Sequence, residues 1–304
     1  MVRRLIHLIP FLCLLALAPA EAKTGCGTDG VWLQVLGSGG PELDDGRAST
    51  GYVIWRDGKA RVLVDLGGGS MDRFEQSGAS VNDLDLILLS HLHVDHSADL
   101  PVLVKASFFS DRDRDLPLYG PTGNRVMPST TEFVDGLFGA KGVYRYLNRF
   151  LTGDAAYRLV PHDVDATRQK PRVILADSRY RVSAVAVHHG PIPALAWRVE
   201  IGGKSVVFSG DMNGDYGTLA VLARNADLLV AHHAIPEGAT GVARDLHMPP
   251  SVIGRVAARA RVRQLVLSHR MNRTLGREPE STRWIRRDYQ GPLVYADDLQ
   301  CFRP

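Results

Sequence analysis

Cysteine is scarce in this chain, with three in 304 residues. That excludes a disulfide-dense scaffold and any thiolate-built metal centre, because a single Cys3His site would use every one. Net charge is low as well, +3 with histidine neutral, so composition offers neither a broad basic field for nucleic acid nor an acidic tail. There is no internal repeat and no low-complexity tract, and beyond residue 22 no apolar run nears the length of a membrane span. Solenoids, disordered linkers and membrane bundles are excluded, and one large globular domain remains.

The N-terminus is the exception. Arg3 and Arg4 precede a largely apolar stretch from Leu5 to Ala18, and Ala20-Glu21-Ala22 places small residues where a signal peptidase cuts. Residues 1–22 therefore read as a signal peptide and 23–304 as the mature domain, periplasmic or secreted. The apolar part is short for a membrane helix and ends at Pro19, so no stable span is expected after cleavage. Cleavage removes two arginines and one glutamate, leaving a formal charge of +2. Cys26 and Cys301 survive near opposite ends. In an oxidising compartment they invite a disulfide, the alternative being two unpaired thiols.

What the chain does have is histidine in one place. His91-Leu92-His93-Val94-Asp95-His96 puts three imidazoles and a carboxylate within six residues, directly after the apolar run Leu84–Leu89, which reads as a buried strand. One histidine at a strand end is usually a polar loop residue. Four titratable groups beside a core strand are unfavourable unless something neutralises them, and a divalent cation does so. His91 and His93 share a side if the strand continues, while Asp95 and His96 need a turn to fold back toward a second ion.

Further candidates repeat the pattern of strand, sharp exit and ligand type: His188-His189-Gly190 after Ala184–Val187, Asp211 after Val206–Gly210, and His269 after Leu265–Ser268. Short strands are predicted at 31–36, 51–55 and 61–65, then strands alternating with helices from residue 173 onward, including an amphipathic helix over 250–260. Two sequential strand-rich halves, each finished by helices, predict an α/β fold of two sheets packed together with helices outside. The segment 97–172 has no readable motif and is expected to cap the site. Arg255, Arg259, Arg261 and Arg263 form a local basic cluster that reads as a solvated face.

Taken together, these residues resemble the metallo-β-lactamase superfamily over essentially the whole mature chain. The resemblance implies an αββα four-layer sandwich of two mixed β-sheets flanked by helices. It further implies His91, His93 and His189 on one metal ion, Asp95, His96 and His269 on another, and Asp211 bridging. His189 is preferred to His188 because Gly190-Pro191-Ile192-Pro193 resembles the loop of ribonuclease Z-like members. A bridging carboxylate is similar to the ribonuclease Z, phosphodiesterase and arylsulfatase branch, as are Ala196–Glu200 and His247-Met248-Pro249-Pro250. The family's His-Glu-Ala-Thr loop here reads His232-His233-Ala234-Ile235, so the glutamate that partners a histidine at the position of His247 is missing.

The function implied is an exported, zinc-dependent hydrolase with two Zn2+, Mn2+ or Fe being the alternatives. A water ionised between the ions would attack a phosphodiester or sulfate ester. Asp95, Asp211 and His247 carry catalysis, with His247 protonating the leaving oxygen. Arg270 and Arg273 either orient an anionic group or pair with Glu278 and Glu280. The expected partner is a small anionic ester, with no tRNA, because export and low net charge both argue against it. Lactone, thioester or β-lactam hydrolysis, and a non-catalytic metal-binding protein, are the competing readings.

Overall fold

The computed structural model describes residues 25–304, so the expected signal peptide at 1–22 lies outside the described residues. Six strands come first: β1 (Val31–Gly37), β2 (Gly51–Arg56), β3 (Lys59–Leu66), β4 (Leu86–Leu88), β5 (Leu116–Pro121) and β6 (Leu159–Val164). A second set follows: β7 (Arg172–Ala176), β8 (Tyr180–His189), β9 (Ile192–Ile201), β10 (Lys204–Phe208), β11 (Leu228–His232), β12 (Gln264–Ser268) and β13 (Leu293–Tyr295). The short β14 (Cys301–Phe302) returns to pair with β1. Both sheets are mixed. The first is antiparallel through β3 and parallel from β3 to β6, and the second is antiparallel from β7 to β10 and parallel from β10 to β13.

Apolar burial explains the stacking. Leu33, Tyr52 and Val62 of the first sheet meet Trp197, Val206 and Val230 of the second in one core between the sheets. Leu63 and Ile87 on the opposite face pack against Phe74, Leu103 and Val134 from helices 70–76, 100–107 and 130–138. Val207 and Leu229 pack against Leu222, Ile253 and Ile285 from helices 218–222, 250–260 and 278–285. These are the four layers of the expected αββα sandwich, and the central parallel strands β4 and β11 read as apolar runs because both their faces are covered. No helix among the described residues is long and apolar enough to cross a membrane.

Cys26 and Cys301 are joined by a disulfide, which ties the segment before β1 to β14. The segment 97–172 differs from expectation: it supplies β5, β6 and the helix Thr130–Phe138 to the first half instead of standing apart as a cap. Its turn at Asn124 reaches the loop that follows His189, where the side-chain amide donates to Pro191 O at 2.8 Å.

Candidate metal centre

The parallel strands deliver their C-terminal ends to one edge of the sandwich, the usual place for ligands in such sheets. β4 stops at Leu88, so His91 and His93 sit on a turn, not on a continued strand, and Asp95 and His96 lie in the short helix Val94–Ser97 that follows. Two bonds fasten this turn to the second sheet. Trp197 Nε1 donates to Leu89 O at 3.0 Å, and Leu195 N donates to Ser90 O at 2.9 Å. The helix packs so closely that a Cβ at Gly67 would overlap the Asp95 carbonyl oxygen. His189 ends β8, Asp211 leaves β10 through Gly210 at φ 59°, and His269 leaves β12 with its own φ at 53°. A left-handed histidine is strained backbone, tolerated where surroundings over-determine it.

Hydrogen bonds from behind fix which ring nitrogen faces inward. Ser90 Oγ donates to Asp65 at 2.7 Å and so accepts from His91 Nδ1 at 3.1 Å. Thr50 Oγ1 donates to Gly39 O at 3.1 Å and accepts from His269 Nδ1 at 2.7 Å. His189 Nδ1 donates to Leu246 O at 2.9 Å, and His96 Nδ1 to Asp65 Oδ2 at 2.8 Å. The Nε2 atoms of the neutral rings His91, His189 and His269 are thereby left with lone pairs pointing inward, and His96 Nε2 is turned the same way.

The inward atoms form two groups that share Asp211: His91, His93 and His189, and His96, His232 and His269. His91 Nε2 lies 3.0 Å from His93 Nδ1, and His189 Nε2 lies 3.3 Å from the same atom. Asp211 oxygens lie 3.8 Å from His91 Nε2, 3.7 Å from His189 Nε2, 3.6 Å from His96 Nε2 and 3.4 Å from His269 Nε2. Ligands about 2.1 Å from a tetrahedral ion stand about 3.4 Å apart, so these spacings match. Asp95 Oδ2, at 3.5 Å from His96 Nε2 and 3.9 Å from His269 Nε2, borders the second group. His96 Nε2 is buried with no hydrogen-bond partner, an orphan that a cation would satisfy.

Electrostatics of four of the five rings suit ligand duty. Burial drives His91 and His269 well below the ordinary imidazole range and lowers His93 and His189 too. All four are therefore neutral, the form that binds metal. Burial also opposes charge on His96, but Asp95, Asp65 and Asp211 overcome it and hold the ring well above its usual value. Burial would raise Asp211, yet His269, His247 and His96, with a hydrogen bond from His232, keep it well below the usual carboxylate range.

His188 faces away from the cluster, bonded through Nδ1 to Asn213 at 2.6 Å. His232 is the member that sequence reading missed. Its Nδ1 donates to Asp211 Oδ1 at 2.8 Å and its Nε2 lies 3.1 Å from the hydroxyl of Tyr52, which burial keeps protonated. With both nitrogens engaged, His232 is placed to orient Asp211. Its signal was available, because His232 ends β11 as the other ligand types end theirs. His247 is buried beside the cluster, Nδ1 3.8 Å from Asp211 Oδ1, and burial pushes it down to about 4. Arg270 is buried and paired with Glu278 and Asp297, the structural alternative, and Glu280 pairs with Arg277. Arg273 is anchored by Nε to Ala234 O at 2.6 Å, within the electrostatic reach of Asp211.

Two metal-sized groups on one shared carboxylate, at the strand ends of an αββα sandwich, define a metallo-β-lactamase class of site. Residues 60–270 match the family model described as the beta-lactamase superfamily domain. The ribonuclease Z of Mycolicibacterium paratuberculosis is 30% identical over 284 residues, 87% of this chain and 95% of its own. The chain belongs to the metallo-β-lactamase superfamily, in its ribonuclease Z and phosphodiesterase branch of hydrolases. Solved structures share the fold. The metallo-beta-lactamase fold protein YhfI of Bacillus subtilis has a TM-score of 0.67 at 21% identity, covering 90% of this chain and 99% of that one. Human short-form tRNase Z has a TM-score of 0.66 at 20% identity, covering 90% and 98%.

These relatives correct one expectation. A small anionic ester as the partner, with no tRNA, does not stand against ribonuclease Z relatives matched along most of the chain. The argument from net charge fails physically because it sums the whole surface, whereas phosphate contacts are made by one face.

Proposed function

We propose that the protein is an exported ribonuclease-type phosphodiesterase that works with two divalent ions. His91, His93 and His189 would hold one, Asp95, His96 and His269 the other, and Asp211 would be shared. Imidazole with carboxylate suits zinc better than manganese or iron. Such a pair supplies Lewis acidity and a water acidic enough to ionise near neutral pH. The observation that carries the reading is the convergence of six imidazoles on one buried carboxylate at metal-ligand spacing. The ribonuclease Z relatives support a phosphodiester substrate, and the Cys26–Cys301 disulfide and the apolar N-terminal residues support export.

The chain's own groups then have separable tasks. His232 and Tyr52 hold Asp211 in one orientation. His247 enters neutral, and an anionic phosphate brought against it raises its proton affinity, so that the ring can protonate the leaving oxygen. No glutamate assists: His233, in that place, turns away to Ser281 at 2.9 Å, which leaves Asp211 as the carboxylate nearest His247 Nδ1. Arg273, whose Nε and Nη2 are held by Ala234 O and Met271 Sδ, would offer positive charge and its remaining Nη1 to the phosphate.

His247→Ala tests the assignment through the leaving group. An RNA alkoxide needs the proton, so cleavage of a 3′-extended tRNA transcript should slow by about 10² to 10⁴. Bis-p-nitrophenyl phosphate, whose phenolate leaves unprotonated, should lose less than about tenfold. Equal losses on both substrates would remove His247 from the proton step. Metal-dependent turnover of nitrocefin, with neither phosphodiester touched, would overturn the function itself.

A further inference from the structure

Outside the centre, the cations of the second half are unevenly paired. Arg244 lies 3.6 Å from Asp215 and Arg263 lies 3.2 Å from Asp227. Arg224, Arg255, Arg259 and Arg261 are all exposed, and among the described residues none has a carboxylate within ion-pair distance. They are neighbours. A hollow of about 360 Å³ is lined by Arg224, Asn225, Arg259 and Arg261. A second, of about 190 Å³, runs between helices 218–222 and 250–260 and shares Arg259 as a wall. Its floor is apolar, from Gly217, Ala220, Val252 and Val256, while Arg244, Arg255 and Arg259 stand along it with Asp215, the carboxylate that Arg244 pairs.

The groove also has a direction. One end is Asn213, two residues beyond Asp211 and bonded to His188, and Arg244 donates to Asn213 O at 3.1 Å from the turn of helix that leads to His247. The other end is Arg261, where helix 250–260 closes with φ 54°. That left-handed position ordinarily takes glycine. Arginine there adds strain and a charge together. The helix spans about 16 Å, and Arg255 and Arg259, four apart, share one face with about 6 Å between their Cβ atoms. Helix dipoles favour cations at the C-terminal ends of both helices, which accounts in part for Arg224, Arg259 and Arg261. It does not account for Arg255 at mid-helix.

We propose that this arginine-lined groove is a docking track for the phosphate backbone of single-stranded RNA, leading from the flank of the second sheet to the metal centre. The inference rests on the phosphodiesterase reading and deepens it by naming where the polymer lies. Guanidinium forks bind phosphate bidentately, and four unpaired ones repel each other until a polyanion arrives.

The test uses the metal-loaded protein and a 5′-fluorescein-labelled 20-nucleotide RNA, with anisotropy read at 4 °C across a salt series and RNA integrity checked by gel. The triple variant R224Q/R255Q/R259Q is compared with a charge-matched control, R158Q/R179Q/R303Q, taken from exposed arginines paired elsewhere. Three lost phosphate contacts should lower the slope of log K against log salt by about 2 and weaken binding about a hundredfold at 0.1 M salt. The control should stay near wild type, and turnover of bis-p-nitrophenyl phosphate should be unchanged in both variants. Equal weakening in the two variants, or arginine-dependent binding to phosphatidylglycerol vesicles without RNA binding, would overturn the proposal. RNA binding that needs these arginines in a protein with no phosphodiesterase turnover would uphold the track and sink the catalytic reading. Turnover with no dependence of RNA binding on them would do the reverse.

Discussion

Asp65→Asn probes the layer behind the metal groups while almost preserving shape. Asp65 is buried at φ 55°, and its carboxylate accepts from Ser90 N at 2.7 Å, Ser90 Oγ at 2.7 Å and His96 Nδ1 at 2.8 Å. In the amide, one oxygen can keep the backbone bond, but the NH2 then meets His96 Nδ1. That removes a charge-assisted hydrogen bond, about 1.5 to 3 kcal/mol. It also pushes the proton of His96 to Nε2, the atom required for metal. Guanidinium unfolding in chelator should therefore show a loss of about 2 kcal/mol. Equilibration in zinc buffers, read by plasma mass spectrometry, should show one of two sites weakened by about 10- to 100-fold. A stability loss with both affinities unchanged would mean that Asp65 is structural and does not orient His96, refuting the argument.

Other consequences reach beyond the centre. Reduction of Cys26–Cys301, or the double serine variant, opens a closure of 275 residues. It should lower unfolding free energy by about 5 kcal/mol in the chain-entropy model, and an unchanged denaturation midpoint under reductant would count against it. His233 is buried, and burial first, then Arg270, pushes it down to about 4. Its depressed value contributes stability that is complete above the unfolded value near 6.5 and lost as pH falls toward 4. Between pH 7 and pH 5 the wild type should lose about 2 kcal/mol more than His233→Gln. Parallel pH profiles for the two proteins would contradict the assignment.

Much of this architecture is legible in the residues, and the gaps have physical causes. β10, β11 and β12 are continuous apolar runs because both faces are covered, and each announces the polar group at its exit. β5 and β6 are masked. Pro117, Pro121 and Pro161 break the expected strand pattern, and β6, at the sheet edge, exposes Asp163. The helix over 130–138 had a local signature, the Ser129–Glu132 capping box, inside a segment otherwise lacking a pattern. Ligand types stand out by density, but whether a histidine faces the ion or its neighbour depends on partners distant in sequence. His232 shows this, since Tyr52, 180 residues away, takes its second nitrogen. Composition misled most over the partner, because a small net charge conceals four unpaired arginines on one flank.

Seven side chains from four chain segments, on this account, bind a pair of cations around Asp211. Metal content of the purified, dialysed protein, measured beside Asp211→Ala, tests it directly. The account predicts two divalent ions per wild-type chain and at most one in the variant. No transition metal in the wild type, or two ions in both proteins, would contradict it.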